Sequence, residues 1–145
     1  MILALDVFYY ADHAVAAGVL FRDWEDATES ASYVEKVTGV SMADYVPGEF
    51  YKRELPCLFR VIDKLDGLPS VIVIDGYVRL DVAGRPGLGM HLWESLNKKV
   101  PVIGVAKKRF VGTPAKSEIY RGQSQRPLFV TAAGISLEKA KAYIG

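Results

Sequence analysis

Two short apolar runs, each followed at once by an aspartate, constrain the fold of this chain most. Residues 2–5 precede Asp6, and residues 70–74 precede Asp75. Apolar runs of this length, bounded by polar or turn residues, are typical of strands buried in a sheet. We therefore expect both acids at the carboxyl ends of buried strands, the edge at which open α/β sheets collect their ligands.

The remaining pattern predicts three strands followed by alternating helices and strands. The first three strands are expected over residues 2–6, 13–21 and 30–37, the first two joined by a tight turn. The elements expected after them are a helix over 53–65, a strand over 70–75, a helix over 87–97, strands over 101–105 and 127–131, and a helix over 136–143. This order predicts an α/β fold, a mixed sheet with helices on both faces. Residues 112–125 are expected to be a loop.

Composition predicts a single domain over residues 1–145 that needs neither a membrane nor disulfides. Half of the residues are apolar and 24% are charged. No apolar run approaches the ~20 residues of a membrane-spanning helix, and the N-terminal run lacks the basic flank of a signal peptide. The single cysteine, Cys57, excludes an internal disulfide, fits a cytoplasmic location and is expected in the core. No Walker loop, dinucleotide fingerprint or zinc-binding cluster is present.

Charge is distributed unevenly although the net charge is only +1. Residues 98–126 contain eight basic side chains and one acid, whereas residues 22–44 contain six acids and two bases. The basic segment could follow a phosphate backbone. A solvated basic loop is the alternative, and the sequence leaves both open.

A third carboxylate, Glu54, lies near the start of the amphipathic segment 53–62. Together, Asp6, Glu54 and Asp75 would suit a hard divalent cation, because Mg²⁺ prefers oxygen ligands and needs only one or two carboxylates beside substrate phosphate. That combination indicates phosphodiester chemistry. Taken singly, each acid has an ordinary explanation: Asp6 as a turn residue, Asp75-Gly76 as a hairpin turn and Glu54 as part of a solvated helix face.

Several segments, in order along nearly the whole chain, resemble the endonuclease V family. Residues 44–54 resemble its aromatic-aliphatic-Pro-Gly segment followed by Phe-Arg-Glu, and residues 73–76 resemble its Val-Asp-Gly strand end. Further similar segments are 87–91, 102–108, 127–131 and 135–140. The resemblance implies a ribonuclease H-like fold. It also implies a metal-dependent endonuclease of nucleic-acid repair that nicks DNA, or RNA, 3′ of a deaminated base such as inosine, using Mg²⁺ or Mn²⁺.

The resemblance also implies roles for individual residues. Asp6, Glu54 and Asp75 would be catalytic metal ligands, and Lys107 would place an ammonium beside the reacting phosphate. The residues expected to bind substrate are the duplex-wedging Tyr45, Val46, Pro47 and Gly48, the base-pocket residues Gly48, Phe50 and Gly76, and the neighbouring Lys108. Without the resemblance, Tyr45–Gly48 would be read as a surface turn and Lys107 as one of a run of charges. His91 is expected to pack on a helix or lie at the surface, and no partner is predicted for His13.

Two segments depart from the family pattern. Where the family commonly has Gly-His before its last helix, residues 131–135 have no histidine, and Ala133 lies nearest to that position. Residues 77–86 replace the usual His-containing loop with a longer one. Loss of a supporting histidine predicts a roughly 10- to 100-fold loss of metal affinity or rate. These departures keep two alternatives open: a protein that binds inosine-containing or distorted nucleic acid without cutting it, and a nuclease for branched, flapped or RNA strands.

Overall fold

The computed structural model describes residues 1–10, 12–24, 31–38, 50–78, 86–106, 118–119 and 128–144. The chain divides into two compact units, Met1–Ser70 and Val71–Gly145. No helix within the described ranges has the length and apolar character needed to cross a membrane.

The first unit is an antiparallel meander followed by a helix. Its elements are β1 (Ile2–Tyr9), β2 (His13–Phe21), β3 (Ala31–Thr38) and α1 (Phe50–Ile62). β2 lies between β1 and β3. The N–H of Tyr10 donates to the carbonyl of His13 at 2.8 Å, which closes the expected hairpin between β1 and β2.

One face of this meander packs against α1. An added Cβ at Gly18 of β2 would lie 2.6 Å from Cγ1 of Val61 in α1 and close to Leu3 and Leu5 of β1. The glycine therefore lets helix and strand approach closely. Because side chains alternate along a strand, Leu3, Leu5 and Gly18 face α1, whereas Asp6 lies on the opposite face.

The second unit is a mixed sheet with two helices. Its elements are β4 (Val71–Asp75), α2 (Leu88–Ser95), β5 (Val102–Ala106), β6 (Glu118–Ile119), β7 (Leu128–Ala133) and α3 (Leu137–Ile144). β4 and β5 are parallel, as buried apolar strands commonly are, and β7 pairs antiparallel with both β5 and β6. The α2 helix contacts β5 and β7, and α3 packs on β7. The core of this unit includes fully buried Ile72, Leu92, Ile103 and Val130.

The structure differs most from the expected strands in β1, β6 and β7. β1 continues past Asp6 to Tyr9, because its pairing with β2 extends through Val7, Phe8 and Tyr9. Asp6 therefore lies inside a strand and not at its end. β6 lies in the segment expected to be a loop, since Glu118 and Ile119 pair with β7. β7 itself extends to Ala133, because Ala132 and Ala133 pair with the first residues of β5.

Candidate active site

Asp75 is the last residue of β4, as the apolar run predicted, and its side chain is exposed. The chain turns away directly afterwards: Gly76 has φ +148°, and its N–H donates to the carbonyl of Val105 at 2.9 Å. A positive φ is readily adopted only by glycine. The carboxylate is therefore presented at the carboxyl end of the parallel pair β4 and β5, the edge where ligands of such sheets bind.

A buried hydroxyl holds the turn that follows Asp75. The side-chain oxygen Oγ1 of Thr131 in β7 accepts a hydrogen bond from the N–H of Val78 at 2.8 Å, and both residues are buried. Gly104 of β5 lies beside this bond, since an added Cβ there would lie 2.5 Å from the carbonyl oxygen of Gly76 and 2.8 Å from Oγ1 of Thr131. Only a residue without a side chain fits at position 104.

The start of α2 holds the same turn from the other side. The N–H of Gly87 donates to the carbonyl of Val78 at 2.8 Å, and the N–H of Gly89 donates to that of Tyr77 at 3.0 Å. An added Cβ at Gly89 would lie 2.5 Å from Cγ2 of Val78. The backbone after Asp75 is thus fixed by β7 and α2 together, which limits the positions open to the carboxylate.

No role was predicted from the sequence for Thr131, Gly104 or Gly89. A signal was available for Gly104, because a glycine inside a buried strand marks close approach of another backbone. No comparable signal exists for Thr131, whose partner Val78 is 53 residues away in sequence.

Asp6 lies on the face of β1 that is turned away from α1 and is partly buried. Its Oδ1 atom accepts a hydrogen bond from the N–H of Val7 at 2.8 Å. This local bond orients the carboxylate on its own strand.

Glu54 is buried within α1, with only 7% of its surface exposed. It lies on the same stripe of the helix as Cys57, Leu58 and Val61, all of which are buried. The interpretation of Glu54 as part of a solvated helix face is therefore wrong. Burying a carboxylate is unfavourable unless its oxygens find partners.

The structure places only part of the predicted site. Within the ranges it describes, no three His, Cys, Asp or Glu side chains form a group that could hold a metal ion. Asp6 and Glu54 belong to the first unit and Asp75 to the second. Phe50 is the first residue of α1. The predicted residues outside the described ranges are Tyr45, Val46, Pro47, Gly48, Lys107 and Lys108.

Ala133, the position nearest to the family histidine, lies away from Asp75. It pairs with Val102 at the start of β5, whereas Asp75 pairs with Val105. Three residues along a strand correspond to about 10 Å. Position 133 therefore lies beside the start of β5, whereas Asp75 lies beside the end of β5.

The two histidines differ in their surroundings. Nδ1 of His13 lies 2.6 Å from Oδ1 of Asp12, and the His13 ring stacks on Tyr10, so the expectation that His13 has no partner is wrong. The hydrogen bond to His13 is the main cause that lowers the pKa of Asp12. His91 is partly buried on α2, and desolvation lowers its pKa, although Glu94 acts in the opposite direction. Cys57 is fully buried, as expected.

Sequence comparison places these features in a known family. The family model for Endonuclease V matches residues 1–142. Endonuclease V of Dehalococcoides mccartyi is 39% identical over 87 residues, which cover 59% of this chain and 38% of that protein. Endonuclease V of Haloarcula marismortui is 30% identical over 118 residues, covering 80% of this chain and 40% of that protein. The chain thus spans about two fifths of the length of these relatives.

Solved structures agree with the sequence comparison. Endonuclease V of Streptomyces avermitilis superposes with a TM-score of 0.73 at 30% identity, over 98% of this chain and 69% of that one. Human ENDOV superposes with a TM-score of 0.76 at 23% identity, over 97% and 73% of the two chains. The expected α/β, ribonuclease H-like fold with a mixed sheet is thereby confirmed. With a family match over almost its full length and the same fold, the chain belongs to the endonuclease V family.

Proposed function

We propose that this protein is a metal-dependent endonuclease that nicks a nucleic-acid strand 3′ of a deaminated base such as inosine. The observation that carries the proposal is the position of Asp75, an exposed carboxylate at the end of β4 whose following turn is fixed by Thr131. Pre-organised groups of this kind are what a hydrolytic site needs. Family membership supplies the reaction class.

The metal ligands in this proposal are Asp6, Glu54 and Asp75, and the ion is Mg²⁺ or Mn²⁺. Their chemistry fits, since carboxylate oxygens are the ligands that such hard cations take. Because Asp6 lies on the face of β1 that is turned away from α1, Glu54 would reach the ion through water. When bound, the ion would activate a water molecule and neutralise charge on the phosphate. The burial of Glu54 distinguishes it from an acid on a solvated helix face.

Other residues of the chain would bind and orient the strand. Lys107, the residue after β5, would stabilise charge that develops on the phosphate, and Lys108 would bind the backbone. Residues 45–48 would separate the base from its neighbours, since a read base must leave the stack. Gly48, Phe50 and Gly76 would line the base pocket. At Gly76, an added Cβ would meet no described atom within 4 Å, which leaves room for a flat base against the backbone.

A solved relative supports nucleic acid as the substrate class. The Ciona intestinalis Endonuclease V structure holds a 23mer DNA containing an inosine followed by a ribo-adenosine. That protein superposes on this chain with a TM-score of 0.76 at 21% identity. We extend its ligand class, nucleic acid with an inosine, to this chain as part of the proposal.

The alternative function is inosine-selective binding without cutting, favoured by the absence of a histidine from residues 131–135. End-labelled oligonucleotides that differ only by inosine or adenosine at one position separate the two. The proposal predicts metal-dependent nicks at one bond on the 3′ side of inosine. Selective binding in EDTA, together with intact strands in Mn²⁺, would establish the binder. Equal cutting with and without inosine would assign a different nuclease substrate.

A further inference from the structure

The β1–β2 hairpin presents aromatic rings on the same face as Asp6. In the strand register Asp6 pairs with Ala17 and Phe8 pairs with Val15, so Asp6 and Phe8 point to the same side of the sheet. His13 is two residues from Val15 and shares that side. The same face as Asp6 therefore carries the rings of Phe8, Tyr10 and His13. We call these three rings the hairpin platform.

Tyr10 and His13 form a preorganised stack. Their ring centroids are 4.7 Å apart and their planes differ by 10°. The His13 ring is hydrogen-bonded to Asp12, and the backbone N–H of Tyr10 donates to the carbonyl of His13. Tyr10 is nevertheless 52% exposed. The stack is therefore supported by hydrogen bonds and still has ring surface available to a ligand.

Phe8 extends the platform towards Asp6. It is 51% exposed, and two residues along a strand place neighbouring side chains on one face about 7 Å apart. Lys36 of β3 pairs with Val15, which in turn pairs with Phe8, so the three side chains form one row across the strands. The row combines an exposed ring with an exposed ammonium group.

We propose that the hairpin platform binds unpaired bases of the nucleic-acid strand next to Asp6, with Phe8 and Tyr10 each stacking on a base and Lys36 contacting phosphate. Exposed aromatic rings beside a basic side chain are the combination by which proteins hold single strands, because every base has a face on which to stack. The inference rests on the proposed function for its substrate class and adds a second contact region to the site.

Binding of a fluorescein-labelled single-stranded 20-mer with one deoxyinosine, measured by anisotropy in EDTA, tests the platform without cutting. We expect Phe8→Ala and Tyr10→Ala each to weaken binding about 5- to 100-fold. Tyr10→Phe keeps the ring and should bind within about twofold of wild type. Val34→Ala is the matched control, because Val34 is 69% exposed on the same face but pairs with Ala17, in the row of Asp6.

A base-by-base scan makes the test specific. Each base of the strand is replaced in turn by an abasic site. The difference in affinity between wild type and Tyr10→Ala should disappear at one position only, that of the base that stacks on Tyr10. Phe8→Leu keeps apolar volume but has no ring, so it should bind the oligonucleotide as weakly as Phe8→Ala does. This variant separates the loss of stacking from a folding defect.

The outcomes are distinct for the two proposals. Wild-type binding that Phe8→Ala and Tyr10→Ala leave unchanged, or no binding by the wild type at all, would overturn the platform. If binding requires the platform but the protein makes no nicks in Mn²⁺, the platform proposal stands and the nuclease proposal is overturned. A wild-type dimer that the alanine variants dissociate, with oligonucleotide affinity unchanged, would assign these rings to a second copy and overturn the inference.

Discussion

Oγ1 of Thr131 accepts a buried hydrogen bond from the backbone N–H of Val78, at 2.8 Å. The bond joins β7 to the turn that begins directly after Asp75. It explains how a carboxylate exposed at a strand end is held in one place: the side chain is free to meet a ligand, while the backbone behind it is anchored in the core.

Thr131→Val should destabilise the protein and slow nicking together. The substitution keeps shape but leaves the buried N–H of Val78 without an acceptor, which costs about 1–3 kcal/mol of unfolding free energy. Urea unfolding measures that loss. Thr131→Ser restores the hydroxyl and should recover most of the nicking rate. Equal rates for Thr131→Val and wild type would show that the turn does not position Asp75.

Gly104→Ala tests the close packing behind Asp75. The new methyl group would lie 2.5 Å from the carbonyl oxygen of Gly76, so we expect a loss of about 1–3 kcal/mol, as for overpacked cores. Gly67→Ala is the control, because an added Cβ there meets no described atom within 4 Å; a change within about 0.5 kcal/mol is expected for it. Similar unfolding midpoints for the two variants would contradict the packing described for position 104.

Glu54→Gln should separate stability from activity. The amide has nearly the same volume, so the fold is retained, but the proposed metal ligand loses its charge. The affinity for Mn²⁺, measured by calorimetry, and the rate of nicking should therefore both fall. Glu35→Gln is the matched control: Glu35 pairs with Lys64 at 3.6 Å near the surface, a pair worth at most about 1 kcal/mol. Unchanged Mn²⁺ affinity in Glu54→Gln would remove Glu54 from the site.

His91 predicts a pH dependence of stability. Because burial lowers the pKa of His91 in the folded state, the unfolded chain binds more protons just below the ordinary histidine pKa of about 6.5. The contribution of this residue to the unfolding free energy is therefore constant above that pH. It decreases as the pH falls towards the lowered pKa of His91 in the folded state. Urea unfolding between pH 7.5 and pH 5 should show a smaller decrease for His91→Gln. An unchanged decrease would assign the acid sensitivity to other groups.

The sequence predicted the backbone framework better than the contacts that form the site. Apolar runs identified β4 and the end of β4 at Asp75, because burial on both faces leaves a continuous pattern. The end of the first apolar run predicted that β1 ends at Asp6. That prediction is wrong, because pairing with β2 continues after Asp6. Strand ends follow hydrogen-bonded partners, which a single apolar run does not report.

Tertiary contacts account for the remaining differences. Glu54 occupies the same helical stripe as Cys57 and Val61, a spacing visible in the sequence, but its charge favoured a solvated position until the packing of α1 was known. The bond between Thr131 and Val78 joins residues 53 positions apart. No local pattern predicts such a bond, because it depends on the register of β5 and β7.

The most direct test of the nuclease proposal is a nicking assay on a deoxyinosine oligonucleotide with Mg²⁺, Mn²⁺ or EDTA, comparing wild type, Asp75→Asn and Asp63→Asn. Asp63 is an exposed acid just after α1 and serves as the charge-matched control. We predict metal-dependent cutting 3′ of the inosine by wild type and Asp63→Asn, and none by Asp75→Asn. Normal cutting by Asp75→Asn, or intact strands with wild type in Mn²⁺, would contradict the account.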